Sequence, residues 1–203
     1  MSDQNVNKGR RRMLILTTSA IGAVGVGFAA TPFILSMMPS ARARAAGAPV
    51  EVDFSKLDVG VLLTVEWQGK PIWFVKRTDA MMEKLNTIAD LLVDPDSNVE
   101  TQQPVYTKNL PRSQEKYPYI SVMIGICTHL GCVPLDKFPV GRASGMGADW
   151  PGGYFCPCHG SKFDMAGRVF KNVPAPTNLV IPPYRFLSET LVIVGENPEE
   201  AKA

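Results

Sequence analysis

The residues best suited to bind a metal are confined to two short stretches of this 203-residue chain. The first box, residues 127–132, reads C-T-H-L-G-C, and the second box, residues 156–161, reads C-P-C-H-G-S. Together the two boxes hold all four cysteines and both histidines of the chain. Because thiolate and imidazole are the main soft and borderline metal ligands of proteins, this distribution predicts one metal centre shared by the boxes.

Six candidate ligands are too many for one tetrahedral zinc ion and the wrong mixture for a cluster held by thiolates alone. One division takes a cysteine and a histidine from each box as ligands, namely Cys127, His129, Cys156 and His159. It leaves Cys132 and Cys158, one in each box, which can pair as a disulfide between the two loops. Two cysteines on one iron and two histidines on the other form the ligation of a Rieske [2Fe–2S] centre.

Two less specific interpretations stay open at this point. A structural zinc ion can use four of the six residues, although neither box has the usual C-x₂₋₄-C or H-x₃₋₅-H spacing cleanly. The cysteines can also be buried structural residues, but that interpretation does not explain why both histidines accompany them.

The boxes resemble those of a known family, the bacterial-type Rieske iron–sulfur subunit of the cytochrome bc complex (ubiquinol:cytochrome c oxidoreductase). Residues 173–176, V-P-A-P, are similar to the family's Pro loop, which covers the cluster. The resemblance implies a mainly β fold, a Rieske-type antiparallel β-sandwich head with inserted cluster-binding loops at about residues 125–176, plus one N-terminal transmembrane helix. It also implies one Rieske-type [2Fe–2S] cluster, the four ligands above and a disulfide between Cys132 and Cys158.

The same resemblance implies roles for residues around the cluster. His159 is expected to be the ligand at the exposed tip, where it hydrogen-bonds quinol and accepts its proton, with His129 as the partner ligand. Leu130 resembles an apolar lid between cluster and quinone pocket, although ordinary packing also accounts for a leucine here. Ser161 matches a serine whose hydroxyl donates to a bridging sulfide, and Pro174 belongs to the Pro loop.

Two positions depart from the family's pattern. Phe163 stands where high-potential members typically carry a tyrosine that donates to a cysteine sulfur, so we expect a lower midpoint potential, suited to a lower-potential quinone. Val173 replaces the glycine that is common before Pro-Ala-Pro, and we expect this side chain to stiffen the loop.

The N-terminal region combines a basic start with a long apolar run. Residues 1–12 carry Lys8 and three arginines, and residues 13–38 are uncharged and mostly apolar. Such a run is long enough to cross a hydrocarbon core of about 30 Å as a transmembrane anchor. The positive-inside rule then places the N-terminus in the cytoplasm and the head in the periplasm, on a bacterial inner membrane.

A cleaved signal peptide is the alternative, with a cleavage-like pattern of small residues at Ala41, Ala43 and Ala45. The apolar run exceeds the usual signal-peptide core, and Arg42 and Arg44 make a poor cleavage neighbourhood, so we favour a retained anchor. The arginines at residues 10–12 also read as a twin-arginine export signal. Export of a folded, cluster-bearing head suits that route, and a disulfide suits the oxidising periplasm.

Beyond the anchor, the sequence divides into a tether and a head. Residues 39–50 lack large apolar side chains and are predicted to form a flexible hinge, and residues 51–203 form the periplasmic head. Of the 21 basic and 19 acidic residues, six and one lie within residues 1–45, which leaves 15 basic and 18 acidic residues. This mildly acidic remainder argues against nucleic-acid binding and is compatible with docking a basic cytochrome.

From residue 50 onward the pattern is mostly β. A hairpin signal at Gln68-Gly69-Lys70 separates two strand-like runs, and helical spacing of apolar residues predicts one helix over residues 79–93. Loops are predicted for residues 94–118 and 136–152, and further strands for residues 119–126, 154–155, 179–182 and 190–195.

The resemblance implies the electron-transfer subunit of quinol–cytochrome-c reductase, an oxidoreductase and translocase. This subunit is expected to accept one electron and one proton from quinol and to pass the electron to a c-type cytochrome by head movement. Cytochrome b and the c-type cytochrome are the implied partners, in a dimeric complex.

The first alternative is the Rieske subunit of a periplasmic molybdenum oxidase, such as arsenite oxidase, which needs no quinone-facing lid. A soluble Rieske ferredoxin or oxygenase component is disfavoured by the membrane segment and the two extra cysteines, Cys132 and Cys158.

Overall fold

The computed structural model of the chain describes residues 7–198, so part of the basic N-terminus and the last five residues lie outside the described region. The chain divides into two compact units, of which the first ends at Ala45 and the second begins at Ala46.

The first unit contains a long apolar helix, α1 (Lys8–Ser36, 29 residues). The Asn7 side chain caps it by accepting hydrogen bonds from the backbone N–H groups of Gly9 and Arg10, both at 3.1 Å. No residue of α1 is buried, and at 1.5 Å per residue the helix is about 43 Å long, enough to cross a membrane. The helix begins five residues before the apolar run because asparagine is a strong N-cap and the basic residues that follow favour helix.

The predicted hinge contains a short helix, α2 (Ala41–Ala46). Its alanine-rich sequence favours this conformation, and the Ser40 hydroxyl accepts a hydrogen bond from the N–H of Ala43 at 3.1 Å. The segment therefore has local structure that its small, linker-like composition did not predict.

The second unit is built from three antiparallel sheets of three strands each. The first sheet pairs β1 (Val50–Asp53), β9 (Leu191–Val194) and β8 (Tyr184–Phe186) in that order. The second pairs β2 (Leu62–Trp67), β3 (Lys70–Lys76) and β4 (Ile120–Ile124). The third pairs β5 (Leu135–Lys137), β6 (Gly153–Phe155) and β7 (Lys162–Phe163).

The first two sheets form a sandwich around one apolar core. Val52 and Val192 of the first sheet and Ile72, Phe74 and Val122 of the second belong to the same buried cluster. The third sheet extends this base with the strands on either side of the second box. The antiparallel β head and the β2–β3 hairpin thus agree with the sequence prediction.

The predicted head helix is shorter than expected. The helix α3 covers Asp79–Thr87, and a single 3₁₀ turn at Ala89–Leu91 follows it. The backbone beyond the helix pairs elsewhere, because Val93 donates to the carbonyl of Val169 at 3.0 Å and Lys171 donates to the carbonyl of Leu91 at 2.8 Å. These long-range hydrogen bonds replace the helical ones, which spacing within residues 79–93 cannot reveal.

The strand predicted over residues 179–182 is also absent. This segment bonds singly to three different neighbours instead of one strand. Leu179 donates to the carbonyl of Gly167, Ile124 donates to the carbonyl of Val180, and Ile181 donates to the carbonyl of Gln102, each at 2.8 Å. Pro182 and Pro183 have no N–H group to continue a ladder, so the strand β8 begins only at Tyr184.

A buried ion pair lies directly after β7. Asp164 and Arg168 are fully buried and approach to 2.7 Å. The other carboxylate oxygen of Asp164 accepts the N–H groups of Ala166 and Arg168. The guanidinium of Arg168 also donates to the carbonyls of Leu85 and Pro95, at 2.8 and 3.2 Å. One side-chain pair therefore holds a tight turn and two distant segments together.

Two further buried arginines surround this turn. Arg77 donates to the carbonyls of Pro111 and Pro118, and Arg112 donates to the carbonyls of Ala166 and Leu179. Burial lowers the pKa of each to about 10, which leaves both guanidinium groups charged at neutral pH. Their positive charge is compensated mainly by backbone carbonyl dipoles.

We expect Asp164→Asn to lower the free energy of unfolding by about 3–5 kcal/mol, because it leaves Arg168 charged, buried and without its carboxylate. Denaturant unfolding of the purified protein measures this change. Glu196→Gln is the matched control, since it removes the carboxylate of the part-exposed pair with Arg185 and should cost at most about 1 kcal/mol. Equal losses in the two variants would contradict a structural role for the buried pair.

Candidate metal centre

The two boxes fold into two loops of the same design. In the first loop, Cys127 donates its N–H to the carbonyl of Cys132 at 2.7 Å, and Gly131 donates back to Cys127 at 3.0 Å. In the second loop, Cys156 donates to Ser161 at 2.8 Å, and Gly160 donates back to Cys156 at 2.9 Å. The fifth residue of each loop has a positive φ, +83° and +80°, which glycine adopts without strain. Each loop therefore presents its first cysteine in the same setting.

The strands bring these first cysteines together in the interior. Cys127 follows β4 and Cys156 follows β6; both are 2% exposed and carry free thiols. Burial raises the pKa of the Cys156 thiol, and the neighbouring Cys127 thiol raises it further, while the N–H of Cys158 lowers it. The pair lies in an apolar cluster with Tyr154 and Phe163. A metal bound here would displace the thiol protons, because only the thiolate is a ligand.

The two histidines lie on the outer side of the same site. Their ring centroids are 4.8 Å apart, with the rings nearly perpendicular. His129 is half-buried and His159 is exposed. The site thus has a buried thiol end and an imidazole end open to solvent. This polarity fits a two-iron cluster with one iron on two cysteines and the other on two histidines.

A disulfide joins the remaining two cysteines, Cys132 and Cys158, across the loops. The sulfur atoms of Cys132, Cys156 and Cys158 all lie within 4.8 Å of one another. Because two of these three are in the disulfide, only Cys156 retains a thiol for a metal. The disulfide therefore joins the two loops, and its two sulfur atoms are not available as thiolate ligands.

The Pro loop and Thr177, the residue that follows it, contact the two cysteine- and histidine-bearing loops. The N–H of Ala175 donates to the Ser161 hydroxyl at 3.0 Å, and the Thr128 hydroxyl donates to the carbonyl of Thr177 at 2.7 Å. Ala175 is buried, whereas Pro174 is exposed. The Thr128 contact was not predicted from the sequence, which singled out only the residues around it.

The Ser161 hydroxyl provides a test of whether the site suits a sulfide-bridged cluster. Ser161 is fully buried, and its oxygen already accepts the Ala175 N–H. Within residues 7–198 its own O–H has no hydrogen-bonded acceptor, although buried hydroxyls normally have one. A sulfide of a [2Fe–2S] cluster held by the adjacent cysteines would be such an acceptor.

Leu130 and Phe163 differ in their exposure to solvent. Leu130 is 72% exposed at the histidine end. Phe163 is fully buried in the same apolar cluster as Cys127 and Cys156, and it brings no hydroxyl to the thiol pair.

The fold and the paired ligand loops define a Rieske-type iron–sulfur protein. Residues 93–185 match the family model described as "Rieske [2Fe-2S] domain", so a [2Fe–2S] cluster is its cofactor. Residues 1–40 match the model described as "Ubiquitinol-cytochrome C reductase Fe-S subunit TAT signal". A solved structure described as "Hyperthermophilic respiratory Complex III" covers 87% of this chain and 97% of its own, with 24% identity and a TM-score of 0.46.

Curated relatives match the chain over almost its whole length. The ubiquinol-cytochrome c reductase iron-sulfur subunit of Allochromatium vinosum is 57% identical over 197 residues, which cover 97% of this chain and 93% of the relative. The corresponding subunit of Blastochloris viridis is 41% identical over 196 residues, covering 96% and 97%. The chain belongs to the family of ubiquinol-cytochrome c reductase iron–sulfur subunits.

Proposed function

We propose that the chain takes one electron and one proton from quinol and delivers the electron to a c-type cytochrome, within a cytochrome bc complex. Family membership makes it a component of an oxidoreductase, ubiquinol-cytochrome c reductase. The observation that carries the proposal is the polarity of the site, in which the thiol pair is buried and both His159 and Leu130 are exposed. A substrate approaching from solvent meets the imidazoles first.

The proposed ligands are Cys127, His129, Cys156 and His159. When bound, the cluster would supply a one-electron acceptor, and two imidazole ligands place its potential at about −150 to +300 mV, above that of all-cysteine plant-type clusters. An imidazole that binds iron through one nitrogen keeps the other free. His159 is exposed, so its free nitrogen can hydrogen-bond a quinol hydroxyl and take its proton.

The neighbouring residues would make this contact selective. The exposed Leu130 side chain offers an apolar surface next to the histidines, suited to a docking site from which water is excluded. The disulfide joins the two histidine-bearing loops, so both imidazoles keep one mutual orientation while the head docks and leaves.

We infer the partners from family membership. Quinol gives up two electrons and this subunit accepts one, so a second acceptor is needed. The family resemblance implies cytochrome b for that role, and a c-type cytochrome as the acceptor of the electron that this subunit carries. We infer that the head moves between the two in a dimeric complex. The small, linker-like residues 39–50 that precede the head support this movement.

We infer further that α1 anchors the chain in the inner membrane, with its N-terminus in the cytoplasm and the head in the periplasm. The twin-arginine match over residues 1–40 and the basic residues before the apolar run support this orientation.

Protease added to intact spheroplasts should digest the head and leave α1 in the membrane. A head protected until the cells are lysed would contradict the orientation.

Low-temperature EPR of dithionite-reduced membranes tests the function, with and without a quinone-site inhibitor. We expect a rhombic signal of low average g value, as mixed nitrogen and sulfur ligation gives, and a line shape that the inhibitor changes. A signal indifferent to quinone and inhibitor would favour the molybdenum-oxidase subunit. No signal, together with bound zinc, would overturn the cluster assignment.

Hydrogen bonds to cluster sulfur raise the midpoint potential, because they stabilise the reduced, more negative state. Ser161→Ala should therefore lower the potential and Phe163→Tyr should raise it. One charge-assisted hydrogen bond of roughly 1.5–3 kcal/mol corresponds to about 60–130 mV as an upper bound. Redox titration followed by EPR measures both shifts.

Phe186→Tyr is the matched control, because Phe186 stacks on Tyr117 in the base of the head and should leave the potential unchanged. An unchanged potential in Phe163→Tyr, with the cluster intact, would remove the proposed reason for a low potential in this chain.

A further inference from the structure

The segment that joins β5 to β6, residues 138–152, is called here the inserted segment. It contains a 3₁₀ turn at Gly141–Ser144, and it closes on itself where Gly141 donates its N–H to the carbonyl of Trp150 at 2.7 Å. The indole N–H of Trp150 donates to the carbonyl of Lys137, also at 2.7 Å. Trp150 is 5% exposed, so the inserted segment is fastened to the head through this side chain.

Trp150 packs against the chain that leads into the Pro loop. Its ring stacks on Phe170 with centroids 5.7 Å apart and an interplanar angle of 27°. Ile88 and Leu92 complete a buried apolar cluster with these two rings, and Met146 packs against it. A tryptophan of the inserted segment therefore covers a residue only three positions before the Pro loop.

Val173 connects this cluster with the metal centre. It packs against the Trp150 cluster and also against the apolar cluster that contains Cys127, Cys156 and Phe163. No other residue among positions 7–198 is shared by these two clusters. Val173, which stands where the family commonly has glycine, thus links the packing of the inserted segment to the packing of the Pro loop against the site.

Hydrogen bonds fix the backbone of Phe170 and of the residue that follows it. Phe170 donates to the carbonyl of Lys162 at 3.1 Å, and its neighbour Lys171 donates to Leu91. Asn172 then turns the chain with a φ of +58°, a conformation that asparagine tolerates better than most residues. The space beside Phe170 and Val173 is filled by Trp150 and Met146. These side chains therefore limit the direction in which the Pro loop can leave the turn.

We propose that Trp150 is a positioning residue that holds the Pro loop closed over the metal centre, acting through Phe170 and Val173. The Ala175 N–H then stays on the Ser161 hydroxyl, and the buried thiol end of the site stays dry. The inference rests on the proposed function only for the ligand set that the Pro loop covers. Its structural part concerns contacts of the polypeptide alone.

The test compares Trp150→Ala with Trp67→Ala in the full-length protein. Trp67 is a matched control because it is 9% exposed, lies in the core of the base and donates its indole N–H to the carbonyl of Ala48 at 3.1 Å. We expect amide hydrogen exchange of the peptide containing Ala175 to accelerate by roughly tenfold or more in Trp150→Ala, since a large cavity opens beside the loop. Trp67→Ala should leave exchange at this peptide unchanged.

A second readout follows the cluster itself, as the decay of its EPR signal at a temperature well below global unfolding. Trp150→Ala should lose the signal several-fold faster than Trp67→Ala, at equal or greater global stability. Val173→Gly removes the connecting side chain and leaves a smaller cavity. It should also accelerate exchange at Ala175, and it serves as the test variant if Trp150→Ala does not fold.

Two results would overturn the inference. One is unchanged exchange at Ala175 in both Trp150→Ala and Val173→Gly. The other is loss of the cluster that simply follows global stability in the Trp150 and Trp67 variants alike. Absence of a Rieske signal in the unmodified protein would instead refute the ligand set, and exchange at Ala175 would still decide whether Trp150 holds the loop.

Discussion

The buried ion pair between Asp164 and Arg168 is the interaction on which the rest of the head depends. It closes the turn that leads out of the second ligand loop, and Arg168 reaches the carbonyls of Leu85 and Pro95 from there. A charge taken out of water is costly unless its partners are complete, so these segments cannot separate without exposing an unpaired group. Two further buried arginines bond the surrounding carbonyls. The turn that follows the second loop is consequently fixed by a polar network, next to the apolar cluster that contains the two cysteines.

The two loops of the metal centre have the same design and are joined to each other. Two loops with the same closing hydrogen bonds face each other, and a disulfide and the Pro loop join them. The cysteines belong to the apolar interior, whereas the histidines extend toward solvent. One end of the site is thereby protected, and the other can meet a substrate without any opening motion.

The sequence predicted the fold class and the cofactor far better than it predicted the contacts that surround the two loops. Ligand chemistry is local, since each box places a cysteine and a histidine within four residues, and the boxes contain every such residue in the chain. The end of α3 was mispredicted because the backbone at residues 91–93 bonds to residues 169–171, almost eighty positions away. The role of Trp150 was equally invisible, because its stacking partner lies twenty positions further along the chain. Periodicity carries no information on such non-local pairs.

The surface position of the disulfide has a consequence for the order of assembly. Cys158 is exposed and Cys132 half-buried, so an oxidant can reach this pair after the polypeptide has folded. The two free thiols, by contrast, are sealed inside. On the proposed orientation, maturation would be divided between two compartments, with iron delivered where thiols stay reduced and the covalent link closed after translocation. Solvent access alone would then determine which two of the four cysteines form the disulfide and which two remain thiols that can bind iron.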